Sequence, residues 1–287
     1  MGAHDTVVAA QSSQRQASAR LPRSIGLQFR ASGRTAQQNP PMIEVANLTK
    51  RYGDFTAVND LSFTVRPGEV MGLVGPNGAG KTTTLRCITG IIPATLGSTY
   101  LCGIDLTADP VGAKRQVAFI PDEPRLFEYL TVAQHLNFVA RLYGVTDYAE
   151  RALPILTSLE MADKQHLLPG ELSRGMKQKL AIACGLLHQP KIVIFDEPMT
   201  GLDPGGMRRM KEVMRRLARE GAAIILSSHL LGLVEEVCTH LLILKDGVKM
   251  ADGTVADVRA RFADSAGSSL EDVFFRATGD TESSALP

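Results

Sequence analysis

No run of apolar residues in this chain approaches the roughly 20 needed to cross a bilayer. The strongest runs, at 192–195, 222–226 and 241–244, are only four or five residues long. Any work at a membrane must therefore be done with a partner. Cysteine is scarce: Cys87, Cys102, Cys184 and Cys238 are scattered, form no Cys-x-x-Cys pair and follow no secretory signal. That pattern argues against a disulfide scaffold or a thiolate metal site. Free thiols in a reducing cytosol fit it, each serving as a small apolar residue. Charge of one sign is lacking too. Thirty-one Lys and Arg face 30 Asp and Glu for a net charge of +1, so no nucleic-acid partner is expected. No repeat of 20 to 50 residues is visible either.

What is present begins in earnest at Met42. The 287-residue chain is 44% hydrophobic, which is enough for one large domain or two modest ones. Residues 1–41 differ from the rest: Arg15, Arg20, Arg23, Arg30 and Arg34 face Asp5 alone, among many Ser, Gln and Ala. Such a stretch lacks the apolar residues to offset its ordering entropy, so a disordered extension is expected. An Arg- and Ser-rich, acid-poor leader is also the composition of an organelle transit peptide. Sequence upstream of a start at Met42 is the favoured reading. A flexible tail is expected at 280–287.

Strand patterns come first, at 43–46, 61–65 and 69–74, with turn signals at Tyr52-Gly53-Asp54 and Pro67-Gly68. Helical spacing follows over 80–89, and an apolar strand over 117–120 ends at Pro121. The section 122–188 changes character. Val132, Leu136, Val139 and Leu142 recur near helical spacing behind a capping Thr131, and 148–159 and 173–187 also read as helices. Strand–helix alternation returns over 191–196, 205–220 and 222–227. Alternating strands and helices imply a mostly parallel sheet covered on both faces, here with a helical lobe inserted between two halves of the sheet. The expected domain spans 42–279.

Between a predicted strand and a predicted helix lies Gly75-Pro76-Asn77-Gly78-Ala79-Gly80-Lys81-Thr82, with Thr83 next on the helix. This matches G-x-x-x-x-G-K-[ST] in the context that gives the pattern a mechanism. Glycines let the backbone curl so that N–H groups converge on phosphate oxygens. The helix N-terminus adds about half a positive charge at the same point. Lys81 is expected to reach the β- and γ-phosphates, and the Thr82 hydroxyl to occupy one Mg²⁺ position. A chance match in a glycine-rich turn is the bland reading, and the flanking strand and helix weigh against it.

A second apolar strand, Ile192-Val193-Ile194-Phe195, ends in Asp196-Glu197. A strand buried on both faces delivers polar groups only at its end, where ligands of open α/β sheets collect. Asp196 suits Mg²⁺, through a water, and Glu197 suits a general base for the attacking water. A lone Asp-Glu pair is ordinarily a solvated loop, but this one follows a buried strand and accompanies a phosphate loop.

Between these elements, Leu172-Ser173-Arg174-Gly175-Met176-Lys177-Gln178 opens a helix. It resembles the LSGGQ signature of ATP-binding-cassette (ABC) proteins, and the resemblance extends from Met42 to about Gly279 with the motifs in the family's order. Tyr52 stands where the family places an adenine-stacking aromatic. Gly201-Leu202-Asp203 resembles its D-loop, and Ser227-Ser228-His229 resembles its switch histidine. The resemblance implies the α/β fold of P-loop NTPases: a RecA-like, mostly parallel sheet core, an N-terminal antiparallel β subdomain and an inserted α-helical subdomain. It also implies ATP and Mg²⁺ as ligands. Two copies would pack head to tail, Ser173 and Gly175 of one meeting the γ-phosphate held by the other, with His229 at that phosphate. A homodimer fits that geometry, although a lone Ser173 would be a plain helix cap.

Two motifs depart from the family pattern. Asp122 occupies the Q-loop glutamine position, where a carboxylate still ligates Mg²⁺ but donates no hydrogen bond. Arg174 and Met176 replace a glycine and a glutamine of the signature. An Ser-Arg-Gly-Met-Lys-Gln-Lys signature with an acidic Q-loop is similar to the ABC-2 type subgroup, which commonly serves exporters. The segment Leu270-Glu271-Asp272-Val273-Phe274 resembles that subgroup's short C-terminal helix. The implied protein is an ATP-hydrolysing subunit working with a membrane-spanning permease, peripheral on the cytoplasmic face of the membrane. The rival is a soluble ABC ATPase acting on ribosomes or DNA. Ribosome-acting members usually carry two cassettes and DNA-repair members a long coiled coil, and neither is present. A P-loop kinase or GTPase is a second rival, but it would leave the signature unexplained, and the chain lacks the Asn-Lys-x-Asp motif that reads guanine.

Overall fold

The computed structural model describes residues 40–262 and 269–279. The expectations of a disordered leader and a flexible tail fall outside these residues, apart from Pro40 and Pro41.

The chain opens as a β-hairpin. Strands β1 (Ile43–Tyr52) and β2 (Phe55–Val65) pair antiparallel around Gly53 and Asp54, so that Tyr52 faces Phe55. Strand β3 (Val70–Val74) is buried along its whole length and leads through the glycine loop into helix α1 (Lys81–Ile88). Strands β4 (Leu96–Leu101) and β5 (Ile104–Asp105) complete a four-stranded antiparallel sheet of order β2-β1-β4-β5. The short helix α2 (Pro110–Lys114), capped by Asp109, precedes β6 (Val117–Ile120).

Helices α3 (Val132–Tyr143), α4 (Tyr148–Ser158) and α5 (Arg174–Leu186) follow β6 in sequence. At the start of α3, Thr131 and Gln134 exchange bonds in a capping box, and Gly144 in the left-handed region ends the helix. Then come β7 (Ile192–Asp196), α6 (Pro204–Arg219), β8 (Ala223–Ser227), α7 (Leu231–Val237), β9 (His240–Lys245) and β10 (Val248–Thr254). Helices α8 (Val255–Phe262) and α9 (Leu270–Thr278) complete the described elements.

The second sheet has the order β10-β9-β3-β8-β7-β6, and every pairing in it is parallel except that of β10 with β9. Alternation along its strands divides the core in two. Met71, Leu73, Ile192, Ile194, Ile225, Leu242 and Leu244 pack with the antiparallel sheet and α1. Val70, Val74, Val193, Phe195, Ile224, Leu226, Leu241 and Ile243 pack with the helices on the other face. Phe195 is fully buried, and a side chain of that size contributes roughly 1.5–3 kcal/mol through burial. Strands buried on both faces in this way leave polar work to their ends. None of the described helices is long and apolar enough to cross a membrane.

Candidate nucleotide site

The site lies where β3, β7 and β8, neighbours in the parallel sheet, run out at the same edge. Gly80 caps α1 with a φ of 96°, and an added Cβ would meet Ala57 O at 2.5 Å. Only glycine satisfies both demands. A glycine also offers no side chain to cap the helix, so the first-turn N–H groups of α1, from Lys81 to Thr83, have no intrahelical partner. Lys81 curls back over the loop and donates from Nζ to Gly75 O (2.6 Å) and Pro76 O (3.1 Å). Burial pushes its pKa down, and the charges of Glu197 and Asp196 oppose that shift.

Asp196 ends β7 and is 5% exposed. The Thr82 hydroxyl stands 3.5 Å from its Oδ1. Burial raises its pKa first of all, the Thr82 hydroxyl works against the rise, and the nearby charge of Asp122 adds to it. In the sheet register Asp196 pairs with Ser227, and Glu197 N donates to Ser227 O (3.0 Å). Glu197 itself has a φ of 50°. That left-handed conformation is costly for a residue with a Cβ and is concentrated at functional sites. Its Oε2 lies 2.8 Å from His229 Nδ1, so the imidazole donates from Nδ1–H and the carboxylate accepts.

The structure thus joins Lys81, Thr82, Asp196, Glu197 and His229. Of the candidates outside the glycine loop, Asp122 lies near enough for its charge to act on Asp196, while Tyr52, Ser173, Gly175 and Asp203 stand apart. Tyr52 is half exposed, with Lys50 Nζ 4.9 Å from its ring centroid. Ser173 Oγ accepts from Met176 N (3.2 Å) and caps α5, while Asp203 Oδ1 accepts from Gly206 N (3.0 Å) and caps α6. A Cβ on Gly175 would lie 2.7 Å from Gly201 O, so α5 begins directly against that loop. Among the described residues, no hydrogen bond or ion pair joins Ser173 or Gly175 to the Gly75–Thr82 loop. Asp122 Oδ1 is buried without a hydrogen bond, and Arg174 Nη2 is 3.5 Å away.

Sequence reasoning missed Gln178. It is buried and donates from Nε2 to Pro121 O (3.1 Å), tying α5 to the loop that bears Asp122. A polar residue inside an apolar helical stripe was its signal. The unassigned His135 is structural, accepting from Phe127 N (3.0 Å) and lying 2.9 Å from Thr131 O.

An open sheet with a glycine loop at the end of β3 and carboxylates at the end of β7, two strands along, defines an α/β fold of the P-loop NTPase class. Comparison with known proteins narrows that class. Residues 58–200 match the family model described as "ABC transporter". Over 239 residues the chain is 35% identical to "ABC-type transporter ATP-binding protein EcsA" of Bacillus subtilis, covering 83% of this chain and 96% of that protein. It is 40% identical over 213 residues to "Nod factor export ATP-binding protein I" of Burkholderia pseudomallei, covering 74% of this chain and 70% of that one. A solved structure described as "Structure of ATP binding subunit of ABC transporter" superposes with a TM-score of 0.79 at 36% identity, covering 82% of this chain and 99% of that one. The chain belongs to the ABC transporter family and is of its ATP-binding, ATP-hydrolysing kind.

Proposed function

We propose that this chain powers transport, in the export direction, through a separate membrane-spanning permease, and that two copies close around ATP to do so. The observation that carries the reading is the convergence of Lys81, Asp196, Glu197 and His229 at one edge of the parallel sheet. The first-turn N–H groups of α1, with Gly75 to Gly80 behind them, cradle the triphosphate. Lys81 leaves its two carbonyl partners for phosphate oxygens, and Tyr52 covers the adenine.

Oxygen donors of Thr82, Asp196 and Asp122 suit Mg²⁺, which binds through a few carboxylates, waters and substrate phosphates rather than an all-protein cage. Mg²⁺, when bound, neutralises charge on the transferring phosphoryl group. Glu197 orients a water for in-line attack and accepts its proton, while His229 holds the Glu197 carboxylate in place and faces the γ-phosphate. Ser173 and Gly175 of one copy complete the site of the other, and Asp203 lies on the D-loop between them. Both residues already stand at a helix N-terminus, where an anion is welcome.

A surface for the permease is provided by Phe127, Tyr129, Phe138 and Leu142. All are exposed, Tyr129 at 88%, and the rings of Phe127 and Phe138 meet edge to face at 5.1 Å. Contiguous exposed aromatics of this kind mark an interaction site. The protein would then sit peripherally on the cytoplasmic face of the membrane. The export direction is supported by the relative named for Nod factor export and by the ABC-2-like signature.

Affinity capture of Glu197→Gln from detergent-solubilised membranes, with ATP and Mg²⁺ present, tests the reading. A multi-spanning protein recovered in about equal amounts is the expected result. An ATP-bound dimer without a membrane partner would favour the soluble ABC ATPase.

A further inference from the structure

Two of the three departures from the family pattern, Asp122 and Arg174, meet in space. Arg174, at the first position of α5, reaches Asp122 with Nη2 3.5 Å from Oδ1, and that carboxylate oxygen has no hydrogen bond. The stem of Arg174 lies along Gly201. A Cβ on Gly201 would fall 2.9 Å from Arg174 Cδ and 3.0 Å from Cγ, and Gly201 has a φ of 80°. One side chain therefore spans three loops: the one bearing Asp122, the start of α5, and the Gly201–Asp203 loop. Both partners are partly exposed, 57% for Arg174 and 42% for Asp122. Such a pair is weak and exchangeable.

We propose that Arg174 is a positioning residue that holds the Asp122 carboxylate in competition with Mg²⁺, so that arrival of the metal releases the first turn of α5, and the Gly201–Asp203 loop packed on the Arg174 stem, from that carboxylate. The inference rests on the reading of Asp122 as a metal-site residue given above. Its physical basis is charge. A guanidinium beside the only charge of Asp122 weakens that carboxylate as a donor, and a dication arriving there repels the guanidinium. The chain that carries an acid where an amide is usual also carries, one helix start away, the cation that balances it. Gln178, which ties α5 to Pro121 O, keeps the two loops within reach during the exchange.

The test is a Mg²⁺ titration of binding by a fluorescent, non-hydrolysable ATP analogue to the full chain. Arg174→Ala should lower the half-saturating Mg²⁺ concentration by about two- to fivefold, the range open to an exposed ion pair. Arg174→Lys should stay near the unaltered chain. In an Asp122→Asn background Arg174→Ala should change nothing, and the effect in the parent should fade with added salt. Metal-free binding of the analogue should be the same in all five chains. A half-point that is unmoved, raised, or shifted equally in both backgrounds overturns the exchange, while binding itself stays intact. Failure of the unaltered chain to bind the analogue with Mg²⁺ would overturn the nucleotide-site reading as well.

Discussion

Glu197 and His229 form a matched pair at the ends of adjacent parallel strands, with Glu197 Oε2 2.8 Å from His229 Nδ1 and only 19% of the Glu197 side chain exposed. The contact holds the carboxylate that we propose as general base, in a residue whose backbone is itself forced to a φ of 50°. Glu197→Gln keeps the shape and removes the proton acceptor. It should retain ATP affinity and lower turnover about 10²–10⁴-fold. His229→Ala should lower turnover too, and the double variant should be no slower than Glu197→Gln alone, because the two act as a unit. Single-turnover hydrolysis beside equilibrium binding separates the effects. Robust hydrolysis by Glu197→Gln would remove Glu197 from the role of base.

A second prediction concerns Asp196, whose pKa is raised chiefly by burial. A carboxyl raised in the folded state favours folding while protonated, below its unfolded pKa. That advantage is lost as pH rises through the folded value. At neutral pH the ionised group is therefore a burden on the ligand-free domain. Asp196→Asn should raise the melting temperature of the nucleotide-free chain, by about 2–4 °C for each kcal/mol relieved. The gain should shrink as pH falls and the native carboxyl takes up its proton. The same variant should lose Mg²⁺-dependent hydrolysis. A variant less stable than the parent at neutral pH would mean that the Thr82 bond outweighs the burial.

Much of this arrangement is legible in the sequence because it depends on local pattern. The strands β3, β7 and β8 announce themselves as short apolar runs, since a strand buried on both faces needs no alternation. The glycine loop and the Asp196-Glu197 pair adjoin such runs. Strand β4 escapes notice because it is half exposed and its partner β1 lies some fifty residues away. Strand β10 is a polar edge strand whose place is set by β9 rather than by its own residues. The Arg174–Asp122 contact is likewise invisible in the chain, because it depends on how α5 docks on β6.

Ser173 and Gly175 have separable roles that substitution can distinguish. Ser173 Oγ caps α5, so Ser173→Ala should cost about 1 kcal/mol of stability. Gly175→Ala would press a methyl group to within 2.7 Å of Gly201 O and push α5 away from the Gly201–Asp203 loop. In the proposed dimer both residues serve the partner's nucleotide. Each variant chain should therefore bind ATP normally in its own phosphate loop yet hydrolyse it poorly. Mixing either with the Lys81→Ala chain should restore part of the turnover in mixed dimers, since each then supplies what the other lacks. Absence of any restoration would argue against a site shared between two copies.

The aromatic patch on the helical lobe gives the last prediction. Tyr129 is 88% exposed and Phe138 is 44% exposed on α3, beside Phe127. None of the three is needed for the buried core, so a charge introduced there should leave folding and ATP binding alone. Phe138→Asp or Tyr129→Asp should abolish recovery of the membrane partner in the Glu197→Gln capture. Each should also leave ATP affinity in detergent-free solution within about twofold, because surface changes away from buried contacts are usually worth less than 0.5 kcal/mol. A buried aromatic anchor can be worth 2 kcal/mol or more to an interface, so the loss of the partner should be plain. Undiminished recovery with both variants would move the docking surface elsewhere on the lobe.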